Sequence, residues 1–219
     1  MLGVVLGLCA GWVLLEMAGG STSKSVLETF GARGPGQGSW RLITSIFLHY
    51  GWGHLLINVL SLFALGVAVE SIAGSAFFLF VFFFSGVGGG LTSVLVNPQS
   101  VSVGASGACY GLLSALLFLL WWAPERTEHL EPPQRSLNTF FLIFLAVMGC
   151  KPTMMQGHWA DTAQHWGGLL AGFLACLTLT RREGFICMRR GFALALTIWL
   201  AWAALVAQPP TPQDPFSSP

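Results

Sequence analysis

The sequence predicts an all-α protein, a polytopic bundle of helices that cross a membrane. Three observations predict it. Apolar residues make up 54% of the chain and charged residues only 9%, whereas a water-soluble domain carries about 25% charged residues. The apolar residues gather in runs close to the roughly 17–25 residues that a bilayer core requires. Between the runs lie short polar, glycine- and proline-containing breaks.

Seven apolar segments follow from these breaks, at about 2–18, 54–73, 76–96, 105–122, 137–150, 162–180 and 192–207. The first lacks the charged flank of a secretory leader. Small residues follow it, but it is read as a retained helix. A longer mixed stretch, 19–53, separates it from the second. Asn97-Pro98-Gln99 ends the third, and a loop with Pro124, Pro132 and Pro133 follows the fourth. The basic loop 181–190 precedes the seventh, and the Pro/Ser-rich stretch 208–219 is read as a disordered tail. No repeat and no separate soluble domain is visible, so residues 1–207 form one transmembrane domain.

The net charge is +1 with no basic or acidic block, which argues against a nucleic-acid partner. The cysteines Cys9, Cys109, Cys150, Cys176 and Cys187 are odd in number and form no C-x-x-C pair. They lie in or beside apolar runs and read as buried thiols rather than disulfides or metal ligands. With the N-terminus inside, the inner loops hold Arg126, Arg135, Arg181, Arg182, Arg189 and Arg190, and the outer loops hold Lys24, Arg33, Arg41 and Lys151. That bias sets the expected orientation.

Polar groups within a bilayer are costly, so their positions are informative. His54 and Asn58 fall in the first turns of the second segment, Ser106 in the first turn of the fourth, and His165 in the first turn of the sixth. Glu70 lies near the far end of the second. Even-numbered segments all run from outside to inside. Topology alone therefore brings four useful side chains to one depth below the outer face. Gly107 and Gly111, and Gly168 and Gly172, form G-x-x-x-G pairs just past Ser106 and His165. Such pairs let membrane helices approach closely, and the glycine-rich stretch 86–90 is expected to do the same.

These residues fit acyl transfer. A serine hydroxyl needs a base within hydrogen-bond reach, and neutral imidazole suits that task. His54 and Asn58 share a helix face and can donate to an oxyanion, as can the Ser106 N–H at a helix start. Asp161-x-x-Gln164 reads as a capping pattern, with orientation of His165 by Asp161 as the alternative. The competing readings are structural: Ser106 as a small packing residue, His165 as an interhelical hydrogen bond, His54 and Asn58 as polar glue. His158 in an outer loop is the rival base, His129 a solvated loop residue, and the role of His49 is open. His49 and His54 lack the H-E-x-x-H pattern, so a zinc site is not expected, and acyl transfer by these residues needs no metal or cofactor.

At these positions the sequence resembles the rhomboid family of intramembrane serine proteases. Gly104-Ala105-Ser106-Gly107 matches its G-x-S-G motif and His54-Leu-Leu-Ile-Asn58 its H-x-x-x-N motif. His165-Trp-Gly-Gly-Leu-Leu-Ala-Gly172 matches its sixth-helix pattern, Trp40-Arg41 the W-R pair of its first loop, and Tyr110 the aromatic that stacks on the histidine. His49 also falls in place, and Gln164 departs from the small residue usual beside the histidine. The resemblance runs from about 40 to 172. It implies a six-helix core at about 40–180 with an added helix at 192–207, and a first loop partly sunk in the outer leaflet. It implies cleavage of transmembrane protein substrates in the lipid bilayer by Ser106 and His165, with the oxyanion held by His54, Asn58 and the Ser106 amide. Gly104, Gly107 and Tyr110 would support that site, and Trp40, Arg41, Glu70, Gly168 and Gly172 would serve structure. A bacterial cytoplasmic membrane is the expected location. The alternatives are a rhomboid-like client-binding protein without catalysis, or a transporter.

Overall fold

A computed structural model describes residues 1–34, 37–122, 154–155, 158–159 and 161–177. Helix α1 covers Leu2–Met17. The mixed stretch that follows holds two short helices, α2 (Lys24–Phe30) and α3 (Arg41–Phe47). A long helix then runs as α4 (Gly51–Ser61), a π-helical turn (Leu62–Gly66) and α5 (Val67–Ala73). Helix α6 covers Ser75–Val96, α7 Ser106–Trp122 and α8 Thr162–Cys176. A two-residue antiparallel pair, Met154–Met155 with His158–Trp159, is the only strand pairing among the described residues apart from an Arg33–Ser102 bridge. The expected segments at 137–150 and 192–207 and the tail lie outside the described residues, as do Cys150, Cys187 and His129.

Length and polarity decide which helices can cross a bilayer. Gly51–Ala73 and Ser75–Val96 have 23 and 22 residues, with mean hydropathy 2.1 and 2.0. At 1.5 Å per residue each reaches about 33 Å, enough for a hydrocarbon core of about 30 Å. Gly74, at φ 86°, makes the sharp turn between them. The rows Leu56, Leu60, Phe63 and Val67 on one span, and Trp166, Leu170 and Phe173 on α8, are exposed. A water-soluble surface avoids such apolar stripes, whereas lipid accepts them.

The core joins α1, the α4–α5 span, α6 and α7 through Leu8, Leu62, Leu65, Phe78, Phe82 and Leu116. Helix α8 packs against both α6 and α7. There the contact is backbone to backbone. A Cβ on Gly168 would collide with the Gly107 carbonyl, and one on Gly172 with the Gly111 carbonyl. On α6, a Cβ on Gly89 would lie 2.5 Å from the Gln164 carbonyl oxygen. Glycine at these places lets three helices close to a separation that any side chain forbids.

The stretch 19–53 is ordered by capping and by one arginine. Ser23 caps α2 by accepting from the Val26 N–H, and Gly31 closes it in the left-handed conformation. Arg41 Nη1 donates to the carbonyls of Glu28 (2.5 Å) and Ala32 (2.8 Å), and its guanidinium lies 4.7 Å from the Trp40 ring centroid. Leu15, Leu27, Ala32 and Leu48 form a small second core beneath it. Glu70, at the end of α5, accepts from Ser75 Oγ (2.7 Å) and from the Met1 amino group (3.1 Å), tying α5 to α6 and α1.

Candidate active site

The loop before α7 turns on Gly104, at φ 115°. A Cβ there would be strained, and would also lie 2.6 Å from the His54 ring. That close approach sets the imidazole of α4 against the backbone two residues before Ser106. Gly104 N–H donates to the Ser45 carbonyl (2.8 Å), and Ser102 exchanges backbone hydrogen bonds with Arg33 (2.8 and 3.1 Å). The loop is therefore fixed from α3 and from the α2–α3 connection before α7 begins.

Helix α7 presents Ser106 in its first turn, and α8 presents His165. His165 Nε2 lies 3.0 Å from Ser106 Oγ, across the glycine seam just described. Tyr110, one turn further along α7, stacks its ring on the His165 imidazole at 4.3 Å between centroids. Ser106 and His165 are half-buried, and Tyr110 is buried. This spacing, with a neutral ring, lets the imidazole take the hydroxyl proton as the oxygen attacks an electrophile.

Asn58 is buried on α4, one turn past His54. Its Nδ2 donates to the His54 carbonyl (2.9 Å), and its Oδ1 lies 3.7 Å from Cys109 Sγ on α7. An amide nitrogen carries a second N–H, so one donor is left for another acceptor. His49 is fully buried beside His54, with ring centroids 5.1 Å apart. Burial first, and the neighbouring His54 second, hold its pKa well below the usual imidazole range. A neutral His49 can accept, and its Nε2 receives the Ala105 N–H at 3.4 Å. The open role of His49 thus resolves into bracing the loop that leads to Ser106.

The capping reading of Asp161 matches the geometry. Its Oδ1 accepts from the Gln164 N–H (3.0 Å), and its Oδ2 accepts from Arg33 Nη2 (3.0 Å) and from Ser93 Oγ. Both carboxylate oxygens are engaged away from His165. Burial lowers the pKa of Arg33, while the Asp161 carboxylate raises it in opposition. His158, the rival base, sits in the strand pair rather than on α8.

Three contributors escaped the sequence reading. Arg33 gives no periodic or motif signal, yet it is buried and joins the α2–α3 connection, the Ser102 loop and the start of α8. Ser93 and Ser102 are ordinary serines until their partners are known. Gln164 was visible as a departure from pattern, but the partners 60 and 62 residues away were not.

Fold and site together define a helical membrane protein in which a serine and a histidine meet across two closely packed helices. The Rhomboid domain family matches residues 36–182, well over half of the chain, and the chain belongs to the rhomboid family. It is 35% identical over 193 residues to Rhomboid protease GluP of Bacillus subtilis, covering 86% of this chain and 36% of that protein. It is 35% identical over 159 residues to RHOMBOID-like protein 6, mitochondrial, of Arabidopsis thaliana, covering 69% and 48%. It is 35% identical over 153 residues to Rhomboid-like protease 5 of Toxoplasma gondii, covering 70% and 18%. The chain spans less than half the length of each of these three. Family membership makes it an integral membrane protein of a group that includes a named bacterial protease and rhomboid-like proteins of plants.

Proposed function

We propose that this chain is an intramembrane serine endopeptidase that cleaves transmembrane segments of other membrane proteins through a Ser106–His165 dyad. The observation that carries the reading is the 3.0 Å approach of Ser106 Oγ and His165 Nε2 from two separate helices. We place the site just below the outer face of a bacterial cytoplasmic membrane, with the bilayer as the medium through which substrate helices arrive.

A substrate segment enters laterally and unwinds at the site. Ser106 Oγ attacks the scissile carbonyl carbon while His165 Nε2 takes the hydroxyl proton. Negative charge develops on the carbonyl oxygen, where the Ser106 N–H, the His54 imidazole and the second N–H of Asn58 donate to it. Collapse of the tetrahedral intermediate breaks the C–N bond, and His165 returns its proton to the departing amine. Water then attacks the acyl-enzyme, with His165 again as base, releasing the carboxylate product and free Ser106. Tyr110, stacked on the ring, holds the imidazole in the plane that faces Ser106. Gly104 and Gly107 leave room for His54 and for Gln164 on α8 respectively.

The test uses the full chain in detergent micelles with a model transmembrane substrate and a fluorophosphonate probe. Wild type is expected to cleave and to be labelled. Ser106→Ala loses both, and His165→Ala loses both while remaining folded. Cleavage that survives Ser106→Ala undiminished would rule the reading out. A folded wild type that neither cleaves nor reacts would leave client binding without catalysis as the function.

A further inference from the structure

Gln164 stands where the sequence departs from the family pattern, and it is only 3% exposed. A buried carboxamide is costly unless its polar atoms are bonded. Both ends are bonded here, and both bonds reach the loop that leads into Ser106. Nε2 donates to the Gly104 carbonyl at 3.1 Å, and Oε1 accepts from Ser102 Oγ at 2.8 Å. Gln164's own N–H is fixed by Asp161 at 3.0 Å.

The Gly104–Ala105 peptide is therefore held at its two ends. Its carbonyl rests on Gln164, and its N–H donates to His49 Nε2 at 3.4 Å. The next peptide carries the Ser106 N–H. Because peptide units are planar, fixing one leaves only the dihedral angles at Ala105 to orient the next. Gln164 is also the residue before His165. The same side chain thus couples the loop that carries the nucleophile to the helix that carries the base.

We propose that Gln164 is a positioning residue for this chain's hydrolysis, setting the direction of the Ser106 N–H and hydroxyl relative to His165. The inference rests on the dyad reading above. It separates from simple space filling on chemical grounds. The side chain does occupy room made by two glycines, since a Cβ on Gly107 would lie 3.0 Å and one on Gly89 3.1 Å from its Cγ. If room were all that mattered, an apolar side chain of equal length would serve as well. The loop also keeps its bonds to Ser45 and Arg33 without Gln164. Loss of the carboxamide should misalign the loop rather than unfold the protein.

The decisive variant is Gln164→Met, which keeps the volume and removes both hydrogen bonds. In the full chain in liposomes, kcat on a model transmembrane substrate and the second-order rate of fluorophosphonate labelling are both expected to fall about 10- to 100-fold. KM should stay within about two-fold of wild type, because an interaction that acts on the transition state moves kcat. The thermal unfolding midpoint should fall by roughly a few degrees, because the Gly104 carbonyl and Ser102 hydroxyl lose a partner while the rest of the loop keeps its bonds. Ser102→Ala leaves the Nε2 donation in place and should lower the labelling rate by less. A Gln164→Met protein with wild-type kcat and labelling rate would overturn the inference. If that variant does not fold, an unchanged labelling rate in Ser102→Ala overturns it instead, and a reduced one supports it. Ser106→Ala is run alongside. Undiminished cleavage there removes the dyad reading itself, whereas silence there with a wild-type-like Gln164→Met removes only the role of Gln164.

Discussion

Glycines recur at the same four-residue spacing in two regions of this molecule, with different consequences. In α1 they are Gly3, Gly7 and Gly11. At the α7–α8 seam they are Gly107 with Gly111, and Gly168 with Gly172. At the seam, a Cβ on Gly168 or Gly172 would run into a carbonyl of the facing helix. Along α1 the environment is graded. A Cβ on Gly3 meets nothing within 4 Å, one on Gly7 meets the Phe47 ring at 3.2 Å, and one on Gly11 meets the Phe47 carbonyl oxygen at 2.5 Å. A ring can swing aside by a few tenths of an ångström, but a helix carbonyl cannot. Spacing thus says that two helices could approach, and only the facing surface says whether they must. Where they must, the seam fixes the separation of the two helices that carry Ser106 and His165.

The largest effect is expected at the seam. Gly168→Ala places a methyl group against the Gly107 carbonyl, and the collision is relieved only by moving α8 away from α7. His165 lies three residues earlier on the same helix and moves with it. We expect a loss of about 3 kcal/mol of stability, at the upper end of overpacking costs. Labelling of Ser106 should fall by about 100-fold or more. Unfolding in detergent micelles and fluorophosphonate labelling measure the two. Wild-type values for both would mean that the seam tolerates separation and does not differ in kind from the Gly3 and Gly7 end of α1.

Much of the seam was legible in the sequence. The spans stood out because membrane helices must be long and apolar; the third segment, expected at 76–96, is the helix Ser75–Val96. A shared depth for His54, Asn58, Ser106 and His165 is what counting crossings leads one to expect, and the structure brings Ser106 and His165 within 3.0 Å. Lateral contact followed from the glycine pairs beside Ser106 and His165. What was not legible depends on tertiary partners. Helices α2 and α3 have seven residues each, too few to hold without packing, and they persist because Arg41 gathers the carbonyls of Glu28 and Ala32. Arg33 carries no periodic signal because its function depends on Asp161, 128 residues away. The π-helical turn at Leu62–Gly66 lies inside an apolar run whose composition does not distinguish it from α-helix.

Helix α8 has a second anchor besides the glycines, and removing it tests whether the seam alone suffices. Arg33 and Asp161 pair at 3.0 Å, with side chains 5% and 14% exposed. Arg33→Ala leaves a carboxylate with little solvent, and breaking a buried pair in this way costs about 3 kcal/mol. Asp161 retains its Ser93 and Gln164 partners, so α8 keeps its cap and its glycine contacts. The labelling rate should therefore fall less than in Gly168→Ala, even though stability falls by a similar amount. Adding Asp161→Asn removes the stranded charge, and the double variant should lose less than the sum of the singles. A labelling loss in Arg33→Ala as deep as that of Gly168→Ala would show that the ion pair, rather than the seam, sets the distance between the dyad helices.

The smallest effects belong to the open end of α1. Gly7→Ala trades a gain in helix propensity of up to about 1 kcal/mol against a small displacement of the half-buried Phe47 ring, so the net change should stay within about 1 kcal/mol of zero. Gly3→Ala has no such opposing contact and should be neutral or stabilising by up to about 1 kcal/mol. Neither substitution touches the loop or the helices that hold Ser106 and His165, so labelling rates should match wild type in both. Thermal unfolding of the two variants beside Gly168→Ala reads three glycines in the same spacing pattern on one scale. A Gly7→Ala variant as damaged as Gly168→Ala would mean that the Phe47 ring is held as rigidly as a helix backbone, and that the tight contact at Gly11 extends to Gly7.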